Sequence, residues 1–495
     1  MTGANTGQDE MKQASIKKNF LMNALLALSN ALFPLITYMH VSRALLTVGM
    51  GKFSFATSLI AWFSMFAQLG IPEYGVRACA KVRDNREELT RTAHELLLIN
   101  LMTNAAVYLV FFLSLAVVPR LQGEKTLYIL MSTTILLTSL GMEWLYKGLE
   151  QYTYITVRSI VCKVIALALV FLLVREEKDY IIYGVLSIFA ASASNVLNLA
   201  FAHRHIGFRP VGKYNLARHM RPVLVFFAMA CATTIYTNLD ILMLGFLRSE
   251  ADVGIYNASV RVKSLLVSVI TSLGTVLLPR ASYYVHHGRM EDFRDVSRKA
   301  LRFVFLAAAP CMTFFFLFAE PAIRVLSGAE FLPAARPMRL LMPTLLLIGV
   351  TNILGFEIMV PTDREKLVLY SVVAGALVDL ILNAALIPAY SAAGAAFSTL
   401  IAEAAVLLIQ LWFLRKETPG IFAGIPYTKI LAALLPAVLL SFWTVRLGLH
   451  DFLTLAIAAA LFFGGYGAAL LIAHEPMAVE AVGFLQKTLR KRLKK

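Results

Sequence analysis

The chain has 495 residues, 59% of them hydrophobic and only 15% charged, whereas roughly a quarter of the residues of a soluble domain carry charge. This excludes a water-soluble globular protein. The formal net charge of +16 does not argue for nucleic acid, because the lysines and arginines sit between apolar runs, where they set membrane topology.

In chain order, the first residues, MTGANTGQDEMKQASIKK, are polar, and no small-residue cleavage site follows the first apolar run. No removable signal is expected, and the first span itself directs insertion. Apolar runs of about 20 residues, enough to cross a bilayer core, then predict about 14 spans: 19–41, 50–72, 94–118, 127–147, 155–174, 181–202, 223–247, 254–278, 303–326, 338–361, 367–388, 393–414, 428–447 and 452–473. The expected class is an all-α integral membrane protein. Basic segments alternate with short polar loops. RACAKVRDNREELTR, HRHIGFRPVGKYNLARHMR, RASYYVHHGRMEDFRDVSRKALR and the tail LQKTLRKRLKK read as cytoplasmic, whereas REEKDY and GLHD read as outer. Both termini are expected in the cytoplasm. HGRMEDFRDVSRKALR and the C-terminal tail are basic and amphipathic, so they are expected on the anionic inner-leaflet lipids.

The loops exclude much. No outer loop is long enough for a sugar-handling catalytic domain, and no GxxxxGK[ST] phosphate loop appears. Cys79, Cys162, Cys231 and Cys311 are too scattered for a disulfide framework or a metal site. His286-His287 and His203-x-His205 lie in basic loops, where a surface role is expected rather than a metal. No cofactor is expected beyond a proton or sodium gradient.

There is an internal echo. VGMGKFSFATS (48–58) resembles ADVGIYNASVR (251–261), with Gly51 on Gly254 and Phe53 on Tyr256; Gly70 and Gly274 follow at nearly equal distance. The two matches fall six spans apart. This predicts two pseudo-symmetric six-helix lobes, 1–212 and 213–414, and an appendage, 415–495, of two helices and a basic tail. Duplicated lobes are a common way to build a central site that opens alternately to each side.

DILMLG from Asp240, VGIYNASVRV, LLPRAS, LILNAALIPAYSAAGAAFSTLIAEAAVLL (380–408) and LGIPEYGVR (69–77) together resemble the polysaccharide-transport branch, the Wzx-type flippases, of the multidrug/oligosaccharidyl-lipid/polysaccharide superfamily. The resemblance covers essentially the whole chain. It implies a V-shaped pair of lobes and no enzymatic chemistry. It also implies transfer of undecaprenyl-pyrophosphate-linked oligosaccharides to the outer leaflet of a bacterial cytoplasmic membrane, for O-antigen, capsule or exopolysaccharide, alongside a polymerase and glycosyltransferases. Alternatives are a lipid II flippase, a cation-coupled drug exporter and, from another class, a membrane glycosyltransferase.

Charges inside spans are costly and face a cavity or each other. Asp240 and Arg261 lie ten or eleven residues on either side of the turn near Glu250, each roughly 15 Å along its helix. At equal depth they can pair, and Lys263, about 200° around the helix from Arg261, is then a second cation. Arg261, with Lys263 behind it, is the expected contact for phosphate. Arg77, one turn after Glu73, is expected at the inner mouth either to meet the substrate or to bridge to Glu73. Arg43 marks the outer end of the first span. Glu357, Asp379 and Glu403 are deep acids; Asp379 and Glu403, with Asn383 one turn from Asp379, form the expected coupling set or hydrogen-bond between helices.

Overall fold

A computed structural model gives the architecture of residues 3–207, 209–416, 418–480 and 482–483. The basic tail beyond Gly483, expected above on the inner leaflet, lies outside the described residues. Every regular element among the described residues is helical. Among the described residues ten helices are long and apolar enough to cross a membrane, or up to 12 when two bent pairs each count as one span. The chain divides into two compact units, Met1–Gly254 and Ile255–Lys495.

The first unit contains α1 (Gly3–Gln68), α2 (Ile71–Val82), α3 (Arg86–Val117), α4 (Lys125–Gly141), α5 (Tyr152–Leu173), α6 (Tyr180–Phe201) and α7 (Ala217–Leu247). It also holds the start of α8 (Glu250–His286). At 66 residues, α1 is far longer than one span, and it is interrupted at Leu46 (φ 56°, ψ −168°). That residue falls between the expected spans 19–41 and 50–72. Asn85 begins α3 by accepting hydrogen bonds from the backbone N–H groups of Glu87 and Glu88 (3.0 and 3.2 Å), whose carboxylates complement the helix dipole. The core under α2, α3 and the short helix Glu143–Gly148 is built on Ile71, Cys79, Leu96, Trp144 and Tyr146.

The two glycines of the internal echo meet inside this unit. A Cβ on Gly51 would lie 1.7 Å from the Glu250 carbonyl oxygen, and one on Gly254 would lie 2.1 Å from the Thr47 carbonyl oxygen. Only glycine permits these backbones to approach so closely.

The second unit holds the rest of α8, then α9 (Met290–Leu317), α10 (Thr344–Asn352), α11 (Glu365–Phe413), α12 (Tyr427–Phe442) and α13 (Asp451–Ile472). At 49 residues, α11 is interrupted at Ser391 (φ 51°, ψ −131°), again between two expected spans. Phe314, Phe318, Phe462 and Tyr466 pack α9 against α12 and α13. Leu109, Leu435, Leu439 and Ile472 are more than two-thirds exposed, as residues facing hydrocarbon should be.

A second echo becomes visible only with the structure. Leu140-Gly141-Met142-Glu143 in the first unit reads like Leu354-Gly355-Phe356-Glu357 in the second. Both interrupt an α-helix. Met142 takes a left-handed conformation (φ 43°, ψ 42°) between α4 and Glu143–Gly148, and Ile353–Met359 is a π-helix after α10. Interrupted helices at corresponding positions of two halves are the best pointer to a transporter's site.

Candidate functional site

The candidate site is a set of charged side chains set into the spans. Arg43, Arg77 and Arg261 are exposed, whereas Lys263 is half-buried. Arg43, three residues before the break at Leu46, donates to the Met39 carbonyl (2.5 Å). Glu73, one turn before Arg77 on α2, is exposed too; the ion pairs of this stretch run instead from Arg83 to Glu150 (2.8 Å) and from Arg91 to Glu95 (3.3 Å). Asp240 is half-buried on α7 in the first unit, and Arg261 and Lys263 belong to the second.

In the second unit, Asp379, Asn383 and Glu403 are buried on α11, on either side of the Ser391 break. The Asn383 side-chain amide donates to Asp379 (3.1 Å). Thr399 lies one turn before Glu403, and its hydroxyl meets that of Tyr256 (3.1 Å). Glu357 is fully buried in the π-helix.

Three charged groups in the first unit escaped the sequence reading. Glu95 is fully buried and accepts from Arg218 (Nε 2.8 Å), His219 (2.8 Å) and the Asn215 backbone N–H (2.7 Å); His219 in turn meets the Tyr74 hydroxyl (2.8 Å). Arg218 and His219 sit in a basic segment that reads as a topology signal, which masked their inward role. Near the loop read as outer, Lys52 pairs with Glu124 (2.6 Å), and Arg120 with Glu250 (2.7 Å). The Tyr180 hydroxyl also donates to Glu124 (2.7 Å), so these cations are held by the unit's own carboxylates. Finally, buried Arg158 on α5 donates to Asn198 and lies over the Tyr154 ring (4.8 Å).

His203 and His205 go separate ways, His203 to the Ala200 carbonyl (2.8 Å) and His205 against Tyr146. Burial, reinforced by Arg204 and Arg86, holds the His205 imidazole below the ordinary histidine range. Among the described residues no cluster of three or more His, Cys, Asp or Glu has the geometry to hold a metal.

Residues 16–285 match the family described as "Polysaccharide biosynthesis protein", more than half of the chain. The chain belongs to that family. Within the same superfamily, residues 226–385 also match the family described as "MatE". The chain is similar to a putative O-antigen transporter of Escherichia coli K12 (22% identity, over 81% of this chain and 97% of the relative). A putative O-antigen transporter of Shigella dysenteriae is equally similar (22%, over 80% and 99%). Among solved structures it is similar to the lipid II flippase MurJ in an inward closed conformation, with a TM-score of 0.66 at 17% identity, covering 90% of this chain and 99% of that one. At that identity the likeness speaks to the fold alone.

Proposed function

We propose that this protein is a flippase that carries undecaprenyl-pyrophosphate-linked oligosaccharide units from the inner to the outer leaflet of a bacterial cytoplasmic membrane, by alternating access. The observation that carries this reading is the polysaccharide family match over 16–285 in a chain that keeps cations inside its spans. A lipid-linked sugar has an anionic pyrophosphate that hydrocarbon rejects, and arginine is suited to bidentate contact with phosphate oxygens. Exposed Arg261 is assigned that contact, with Lys263 as second cation. Arg77 is assigned to the entrance, beside Glu73, and Arg43 to the exit. No covalent step is needed.

The finer architecture belongs to the same reading. Counting α1 and α11 as two spans each, folded back at Leu46 and Ser391, and each bent pair as one span, gives 14. That fits two six-helix lobes, a V-shaped frame and two added C-terminal helices. The termini are placed in the cytoplasm by the basic segments, and the lobe boundaries of 212 and 414 follow the echo. Asp240 is assigned to a pair with Arg261 across the α7–α8 turn; Asp379, Asn383 and Glu403 are assigned to hydrogen bonding between helices, with gradient coupling as the alternative. A polymerase and glycosyltransferases are the expected neighbours in the assembly line.

A second reading, a lipid II flippase, is favoured by the fold likeness to one. The cationic rather than acidic candidates for substrate contact argue against an exporter of cationic drugs. Deleting the gene tests the main reading. Surface polysaccharide should be lost while lipid-linked units accumulate in the cytoplasmic membrane. Persistence of surface polysaccharide, in a strain with no second flippase, would overturn it; arrest of peptidoglycan synthesis instead would select lipid II.

A further inference from the structure

Glu357 is fully buried, and neither carboxylate oxygen has a hydrogen-bond or ion-pair partner among the described residues. It sits in a π-helix, Ile353–Met359, a rare geometry that concentrates at functional sites. Helices α9, α10 and α11 pack on this turn, and α8 reaches it at Gly274. The side chains seen against it, Asn352 of α10 and Val368 and Gln410 of α11, are uncharged. α9 packs against α10 through Val304, at Gly349, and Asn352 closes α10. On α11, Gln410 approaches Gly355 with its amide nitrogen, which also donates to Ser371 (3.2 Å).

A glycine faces the carboxylate. A Cβ on Gly274 of α8 would lie 2.5 Å from Asn352 Oδ1 and 3.1 Å from Glu357 Oε1. Two acceptor oxygens therefore converge on one bare Cα, in a space that any larger residue would fill. The buried Gln410 Oε1 also lacks a partner.

The first unit supplies the control. Its matching glutamate, Glu143, pairs with Lys147 at 2.8 Å and is partly exposed. Four residues after Glu357 the chain has Pro361 instead. An isolated carboxylate in such a setting is strongly penalised, and one left without its partner costs several kcal/mol. The missing positive charge must come from outside the protein.

We propose that Glu357, with Asn352 across the space cleared by Gly274, is a binding site for a monovalent cation, a proton or an alkali ion, and that its loading and release couple a cation gradient to transport. The coupling half rests on the flippase reading; the binding half does not. In the proton case an O–H bond forms on the carboxyl with a proton taken from water on the side where protons are more concentrated, and breaks on the other. In the alkali case the ion exchanges its water ligands for the carboxylate and amide oxygens.

Binding is tested first, on the full chain in detergent. Difference infrared spectra of wild type against Glu357→Gln should show one of two signatures. A neutral carboxyl C=O band lost in the variant assigns a proton. A carboxylate band whose intensity depends on added sodium, again lost in the variant, assigns an alkali ion. A carboxylate band insensitive to sodium from 0 to saturating concentration overturns the proposal. Gly274→Ala, which retains the carboxyl but fills the space, guards against a misfolded Glu357→Gln: it should weaken sodium dependence at least tenfold or shift the C=O band, and an unchanged signature overturns the assigned space. In proteoliposomes, an imposed gradient of the assigned cation should accelerate flipping of lipid-linked oligosaccharide by wild type, and the ratio of driven to undriven rates should fall to about one in Glu357→Gln. An unchanged ratio refutes coupling. A wild type that binds the cation but flips no such lipid refutes the flippase reading and leaves the binding site standing.

Discussion

The two halves of this molecule treat the same sequence element in opposite ways. LGME closes α4 with a left-handed residue, and its glutamate is neutralised one turn later by Lys147. LGFE opens into a π-helix, and its glutamate is sealed from solvent with no hydrogen-bond or ion-pair partner among the described residues. The first unit neutralises its buried carboxylate and two pairs of partly buried charges from within: Glu95 has Arg218 and His219, Lys52 has Glu124, Arg120 has Glu250, although buried Arg158 meets the neutral Asn198. A buried charge with a resident partner is architecture. One without a partner is an address for something that arrives.

That contrast can be broken at several points, and the largest effect should come from Glu95. Removing it by Glu95→Ala leaves Arg218 and His219 facing a hole in the first unit, which should cost about 3–5 kcal/mol. Loss of the folded fraction in detergent thermal unfolding checks this; a variant as stable as wild type would show that the first unit does not depend on its internal pairs. Next comes Gly274→Ala, whose methyl must displace Asn352 at 2.5 Å and should cost about 1–3 kcal/mol by overpacking. The effect should shrink when Asn352 is also shortened to alanine, and equal losses in both backgrounds would place the strain elsewhere. Lys147→Met should matter least, at most about 1 kcal/mol, because both members of its pair are more than one-third exposed. A loss as large as that of Glu95→Ala would mean that Glu143 is as isolated as Glu357 and would erase the contrast.

The Asp240 and Arg261 assignment has its own test. Asp240→Arg with Arg261→Asp should restore transport lost in either single variant if the pair is structural, whereas continued failure in a well-folded protein would assign Arg261 to the substrate.

Much of the architecture was legible in the sequence, for a simple reason: in a bilayer every backbone group must be satisfied within its own helix, so length and hydropathy announce the spans. The breaks at Leu46 and Ser391 fall inside gaps already marked by the periodicity. Gly51 and Gly254 were legible as an echo, but not as the point where the two backbones touch. The candidate site was less readable. Glu357 was visible as a deep acid, yet nothing in its neighbourhood distinguishes it from Asp379 or Glu403, because isolation is a property of three-dimensional surroundings. The π-helix has no composition of its own. Arg218 and His219 were hidden by the rule that reveals topology, since a basic segment beside a span looks the same whether its residues face water or reach inward to Glu95.

The most direct measurement compares the two glutamates in one assay. Full-length wild type, Glu143→Gln and Glu357→Gln are reconstituted in liposomes, and flipping of undecaprenyl-pyrophosphate-linked oligosaccharide is followed with and without an imposed cation gradient. Wild type and Glu143→Gln should both accelerate with the gradient, and Glu357→Gln should not respond. Equal responses from the two variants, whether both retained or both lost, would contradict the distinction between a glutamate with a resident partner and one that waits for a cation.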